Sequence, residues 1–177
     1  MSTTAFDKKS LLKTFAIKAV VTFVVWMILY HGVIVPDGRL NRVLTDGVIS
    51  GTMFGLSTLG YDTGSDGDVI LIDREPVVLV ADNCNGLELF ALYTGFLLCF
   101  PGSWKYKVVF IPFGITLIYI VNVSREIVLA LNYKFFQATF DFNHKYTYVF
   151  VVYFFVFAIW RYWLNNYSIL ARPTGNY

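Results

Sequence analysis

Three residue types able to work together on a carbonyl group stand in separate polar islands of an otherwise apolar chain. Cys84 lies in Asp82-Asn-Cys-Asn-Gly86, Arg125 in Asn122-Val-Ser-Arg-Glu126, and His144 in Phe142-Asn-His-Lys145. A thiol beside an imidazole can give up its proton and attack a carbonyl carbon. A fixed guanidinium can hold the oxyanion that forms. Each residue also has a plainer reading. A cysteine in such a chain is commonly a small packing residue, and Cys99 in Leu97-Leu-Cys-Phe100 fits that description. Cys84 differs because Asp, Asn and Gly surround it, and a place at the start of a helix favours the thiolate. His144 alone reads as a satisfied interfacial histidine. Arg125 is harder to set aside, since a charge within a membrane span costs at least about 2.5–3.5 kcal/mol and so pairs or serves a site. Glu88 and Glu126 are its candidate partners. His31, in Leu29-Tyr-His-Gly32, is the second candidate for the imidazole role.

The elements that must position these residues are membrane helices. Of 177 residues 56% are hydrophobic and only 15% charged, against about 25% charged in soluble domains. The mean hydropathy of +0.59 calls for a bilayer as solvent rather than one soluble core. Aromatic residues make up 19%, which suits membrane interfaces. A net charge of +2 gives no case for a nucleic-acid partner. Apolar runs place spans at about 15–35, 86–104, 108–131 and 146–164. The first follows Lys8, Lys9, Lys13 and Lys18. It is longer than a signal peptide's apolar region of about 7–15 residues, and Tyr30-His-Gly-Val33 offers no small-residue cleavage site. The expectation is an uncleaved first helix.

Charge then orients the bundle. Lys8, Lys9 and Lys13 precede the first span, Lys105 and Lys107 separate the second from the third, and Arg161 and Arg172 close the fourth. Four crossings put all of them on the cytoplasmic side, as the positive-inside bias requires. Residues 36–83 fall outside and hold eight of the twelve acidic residues. The fold expected is an all-α polytopic bundle of about four transmembrane helices in a single domain over 1–177. An extracytoplasmic helix and a small β-hairpin lie between the first and second spans. On this topology Cys84, Arg125 and His144 reach one depth on three different helices, at the outer face.

The external segment has its own signals. Gly47, Gly51 and Gly55 recur at steps of four within Val43 to Tyr61, a close-packing helix face that reads as half-buried on the bundle. Asp62-Thr-Gly-Ser-Asp-Gly-Asp68 is a turn cluster with only a weak echo of a calcium loop, because Gly64 and Asp73 stand where ligands of the right type belong. Val69–Ile72 and Val77–Val80 flank Asp73-Arg-Glu-Pro76 as two strands and a turn. Cys84 and Cys99, on one helix, would stand about 22 Å apart, beyond the roughly 7 Å a disulfide spans; both are expected free.

Taken in order, Asn83-Cys-Asn-Gly86 before an apolar helix, Asn122-x-x-Arg125 within a helix and a histidine before the last helix resemble the exosortase/archaeosortase family over roughly residues 77–160. That resemblance implies a membrane-embedded cysteine transpeptidase that processes C-terminal sorting tails of exported proteins. It implies Cys84 as nucleophile, Arg125 as the site arginine and His144 as the third member. Asn83, Asn85, Gly86, Glu88 and Asn122 are then supporting residues, with no metal and no cofactor. The implied partner is an exported protein with a sorting motif and a transmembrane tail, and an accessory membrane protein has room beside it. The implied place is the bacterial inner membrane, both termini cytoplasmic and the site extracytoplasmic. With about four spans instead of eight or so, the chain is similar to the short bacterial forms. The competing class is non-enzymatic, a scaffold or subunit of an export machine in which Arg125 pairs with Glu88 or Glu126. A transporter is weaker, because few charges are available within the spans to line a path.

Overall fold

The computed structural model describes residues 3–168. Its first helix, α1 (Thr3–Leu29), continues through a π-helical turn (Tyr30–Ile34) into α2 (Val35–Asp37) and ends at Gly38, whose left-handed φ of 66° separates it from the next helix. Next, α3 (Arg39–Thr58) packs against α5. Three strands follow, then a 3-10 turn (Asp82–Cys84), α4 (Leu87–Cys99) and the long α5 (Trp104–Phe135). The short α6 (Gln137–Phe142), a second π-helical turn (Asn143–Thr147) and α7 (Tyr148–Tyr167) complete the bundle.

Among the described residues three stretches are long and apolar enough to cross a membrane: Leu12–Asp37, Trp104–Phe135 and Gln137–Tyr167. The second expected span is shorter than the 86–104 read from hydropathy. At 13 residues, α4 is about 20 Å long, against about 30 Å of hydrocarbon. Pro101 explains the stop, since the residue before a proline is pushed to extended backbone, and Phe100 adopts ψ 136°. The other spans run beyond the expected 108–131 and 146–164.

The expected hairpin is a three-stranded antiparallel meander. Its strands are β1 (Thr63–Asp66), β2 (Val69–Ile72) and β3 (Glu75–Leu79), ordered β1-β2-β3. Most of the Asp62–Asp68 turn cluster is therefore β1, and Asp68 at its end pairs with Arg42 of α3 at 2.8 Å. The β2–β3 turn is only Asp73-Arg74, with φ of 54° and 68°. Glu75 and Pro76 lie in the strand, opposite Ile72 and Leu71.

The glycine face of α3 is used within the chain. A Cβ on Gly51 would come 3.1 Å from Val123 of α5, and one on Gly55 would collide with Ile127. Close approach of the two backbones is what such steps of four permit. Two clusters result. One joins α3, β2, β3 and the end of α5 through Val48, Leu56, Ile70, Ile72, Val80 and Leu129, and it includes Cys84. The other joins α4, α5 and α7 through Tyr93, Leu97, Phe100, Ile118, Val156 and Trp163. The sheet and Cys84 thus mark one end of the bundle.

Candidate active site

Cys84 is placed by its neighbours' polar groups. Its N–H donates to the Ala81 carbonyl at 2.7 Å, closing the 3-10 turn. Its carbonyl accepts from Asn122 Nδ2 at 2.6 Å, which ties the turn to α5. Asn85 holds the other side. Its Oδ1 accepts the Leu87 N–H at 2.9 Å, satisfying a donor at the start of α4, and its Nδ2 donates to Asn41 Oδ1 of α3 at 3.2 Å. Thr45 donates to Asp82 at 3.4 Å. Gly86, with φ 86°, turns the chain into α4 in a conformation that disfavours side chains. Of the expected supporting residues, Asn83, Asn85, Gly86 and Asn122 all surround Cys84. Glu88 lines the cavity beside it, exposed.

Arg125 reaches the thiol directly. Its Nη2 lies 3.8 Å from Cys84 Sγ, and Asn83 Oδ1 accepts from the same sulfur at 3.6 Å. Among the described residues the ion-pair partner of Arg125 is Glu126, at 3.7 Å from Nη1, and not Glu88. Glu126 is 1% exposed. The sequence marks it only as a candidate partner of Arg125, outside the expected site. The signal available was its place beside Arg125 in a helix that crosses the bundle.

Burial is the largest influence on the thiol and pushes the Cys84 pKa up. Glu126 acts the same way, while the positive charge of Arg125 and its hydrogen bond oppose both. The thiolate-favouring helix start expected at Cys84 does not prevail. The first residue of α4 is Leu87, and the cysteine is 7% exposed.

Both histidines of the chain open onto the same cavity, of about 690 Å³, as Cys84 and Arg125. Each sits in a π-helical turn: His31 in Tyr30–Ile34 and His144 in Asn143–Thr147. Such turns swell a helix by one residue and recur at functional sites. His144 stacks on Phe140 at 5.7 Å between ring centres, and His31 meets Tyr30 edge-on at 5.1 Å. Among the described residues neither donates to or accepts from the thiol. Arg125 thus contacts Cys84, while His144 and His31 line the cavity they share.

From this polar mouth the cavity runs down between α1, α4 and α7 to Phe15, Cys99 and Trp160. Its walls are chiefly apolar. Cys99 is buried at the far end, 3.1 Å from Thr22 Oγ1, and both cysteines are free. Among the described residues no group of three or more His, Cys, Asp and Glu side chains could hold a metal ion.

Neither a curated protein nor a solved structure matches the chain. A family model does, over residues 9–163, and its description is transmembrane exosortase. Coverage of most of the sequence, spans long enough for a bilayer and the cysteine–arginine contact at one end of the bundle agree: the chain is a membrane protein of the transmembrane exosortase family.

Proposed function

We propose that the chain is a cysteine transpeptidase that cleaves C-terminal sorting tails of exported proteins through a thioester on Cys84. The observation that carries this reading is the 3.8 Å approach of Arg125 Nη2 to Cys84 Sγ, at the mouth of an apolar cavity that also holds both histidines. Charge supports an orientation with the sheet end outside the cytoplasmic membrane and both termini inside. In that topology α4 and the Phe100–Ser103 connection together make the second of four crossings. A tail's apolar helix would lie along the cavity and present its cleavage site at the mouth.

The chemistry balances as follows. An imidazole, His144 in this reading, takes the Cys84 proton. The sulfur forms a bond to the scissile carbonyl carbon, and the carbonyl electrons move to oxygen, where Arg125 holds the developing charge. Collapse breaks the C–N bond, and the imidazolium returns its proton to the departing amine of the tail. An incoming amine or water then attacks the thioester and releases the thiol.

Replacement of Cys84 by Ala tests the reading. Tail cleavage should vanish while the protein remains folded and inserted. Cleavage at the normal rate would leave the scaffold reading standing instead. Alanine at each histidine in turn assigns the base: loss with His144→Ala and retention with His31→Ala is the expected result, and the reverse transfers the role to His31.

A further inference from the structure

Glu126 is a carboxylate in the wrong place for packing. On α5 it belongs to the buried stripe of Ile118, Asn122, Glu126, Leu129 and Ala130. Leu129 and Ala130 of that stripe enter the apolar cluster that contains Cys84. A buried carboxylate costs free energy that an aliphatic side chain there would not. Among the described residues its only ion pair is with Arg125, its chain neighbour. Side chains one position apart on a helix do not face each other, so the guanidinium must fold sideways to reach it. The contact is accordingly long, 3.7 Å, and among the described residues neither Glu126 Oε1 nor Arg125 Nε has a hydrogen-bond partner. Nη2 of the same guanidinium is the group at Cys84 Sγ. Arg125 is thus shared between a sulfur on one side and a carboxylate on the other, with its side chain only 12% exposed.

We propose that Glu126 is a positioning residue: it holds the Arg125 guanidinium at Cys84 and sets how much of that positive charge reaches the thiol. At 3.7 Å from the guanidinium, a carboxylate draws on the field that would otherwise favour a thiolate. The geometry agrees with the upward push of Glu126 on the Cys84 pKa and the downward push of Arg125. Other titratable or charged groups at this mouth are Tyr30 and His31 from the first π turn, Asp82 in the 3-10 turn, Glu88 from α4, and His144 and Lys145 from the second π turn. All stay unchanged in the variants below.

The test uses the full chain with Cys99→Ala, so that one thiol remains, and reads alkylation of Cys84 by iodoacetamide against pH. Glu126→Gln keeps the shape and removes the charge. The pH midpoint should fall by about one unit, the lower end of what a nearby charge does. A midpoint that stays put, with or without a lower melting temperature, overturns the proposal. Glu126→Asp keeps the charge and withdraws it by one methylene. There the kcat of tail cleavage should fall about tenfold with KM unchanged, since small misplacements of a reacting group are costly. An unaltered kcat overturns the positioning role, and this arm decides alone if Glu126→Gln does not fold. The cleavage arm rests on the transpeptidase reading, whereas the alkylation arm does not. Cleavage that survives Cys84→Ala would therefore reject that reading and leave the Glu126 proposal to the thiol's pH profile.

Discussion

The Cys84 thiol is a case of competing charges around a buried group. Burial disfavours the thiolate most, Glu126 adds to it, and Arg125 offsets part of both. The direction of the pH dependence follows. A raised pKa leaves the thiol protonated over a wider range, so alkylation should climb with pH and reach half its plateau above the ordinary thiol range. Arg125→Met removes the opposing charge. Its midpoint should move higher by about one unit, and alkylation at neutral pH should slow about tenfold, because the thiolate is the nucleophile. Rates measured across pH with Cys99→Ala as parent check this, and an unchanged midpoint would deny Arg125 its electrostatic role. The residues themselves were legible in the sequence. Polar neighbours separate Cys84 from Cys99, and a charge within a span marks Arg125. The sign of the thiol's shift was not legible, because it depends on where α4 begins and on how deeply the 3-10 turn is covered. Nor could the sequence choose Glu126 over Glu88. Spacing from Cys84 favours neither, and only the side chain's path along α5 decides.

Elements show the same division between local and long-range information. The run Gly47, Gly51, Gly55 announces a close-packing helix face by its period alone, and α3 meets α5 along it. Gly114 carries no such signal. Its importance comes from Tyr93 of α4, which is fully buried and donates to the Phe110 carbonyl at 2.7 Å. A Cβ on Gly114 would enter the Tyr93 ring, whereas one on Gly47 would stand 3.7 Å from the Tyr119 hydroxyl. Gly114→Ala should therefore destabilise the folded protein by about 1–3 kcal/mol through overpacking, and Gly47→Ala should be nearly neutral. Thermal unfolding in one detergent compares the two, and equal losses would refute the assigned packing. Strand β1 was hidden for a different reason. Thr63-Gly-Ser-Asp66 has turn composition, and only pairing with the apolar β2 makes it extended. The π turns were hidden as well. One extra residue in a helical turn leaves the apolar pattern nearly unchanged, yet both histidines that line the cavity sit in these turns.

Across the whole molecule, exposure and cavity shape together define how the bundle meets its surroundings. Ile17, Val20, Val21, Val24, Val25 and Ile28 of α1 are all exposed, a surface suited to lipid and not to water. On its other side α1 packs against α4 and lines the apolar cavity. Phe15 lines one end and Tyr30 the other, and the distance between them along the helix is about 22 Å. In the proposed reading, an apolar tail helix would lie along this length of the cavity, below Cys84. Gly95 sits in the wall where α4 approaches α1, and a Cβ there would lie 3.4 Å from Thr22 Cγ2. Gly95→Leu should fill this part of the cavity without touching the polar mouth. The KM for a tailed substrate should then rise about tenfold, as lost binding that is shared by ground and transition states requires. Alkylation of Cys84 by a small reagent should be unaffected, since the mouth stays open. Gly32→Leu is the control: a Cβ there meets nothing within 4 Å. An unaltered KM in Gly95→Leu, with the protein folded and inserted, would mean that the tail reaches Cys84 by another path.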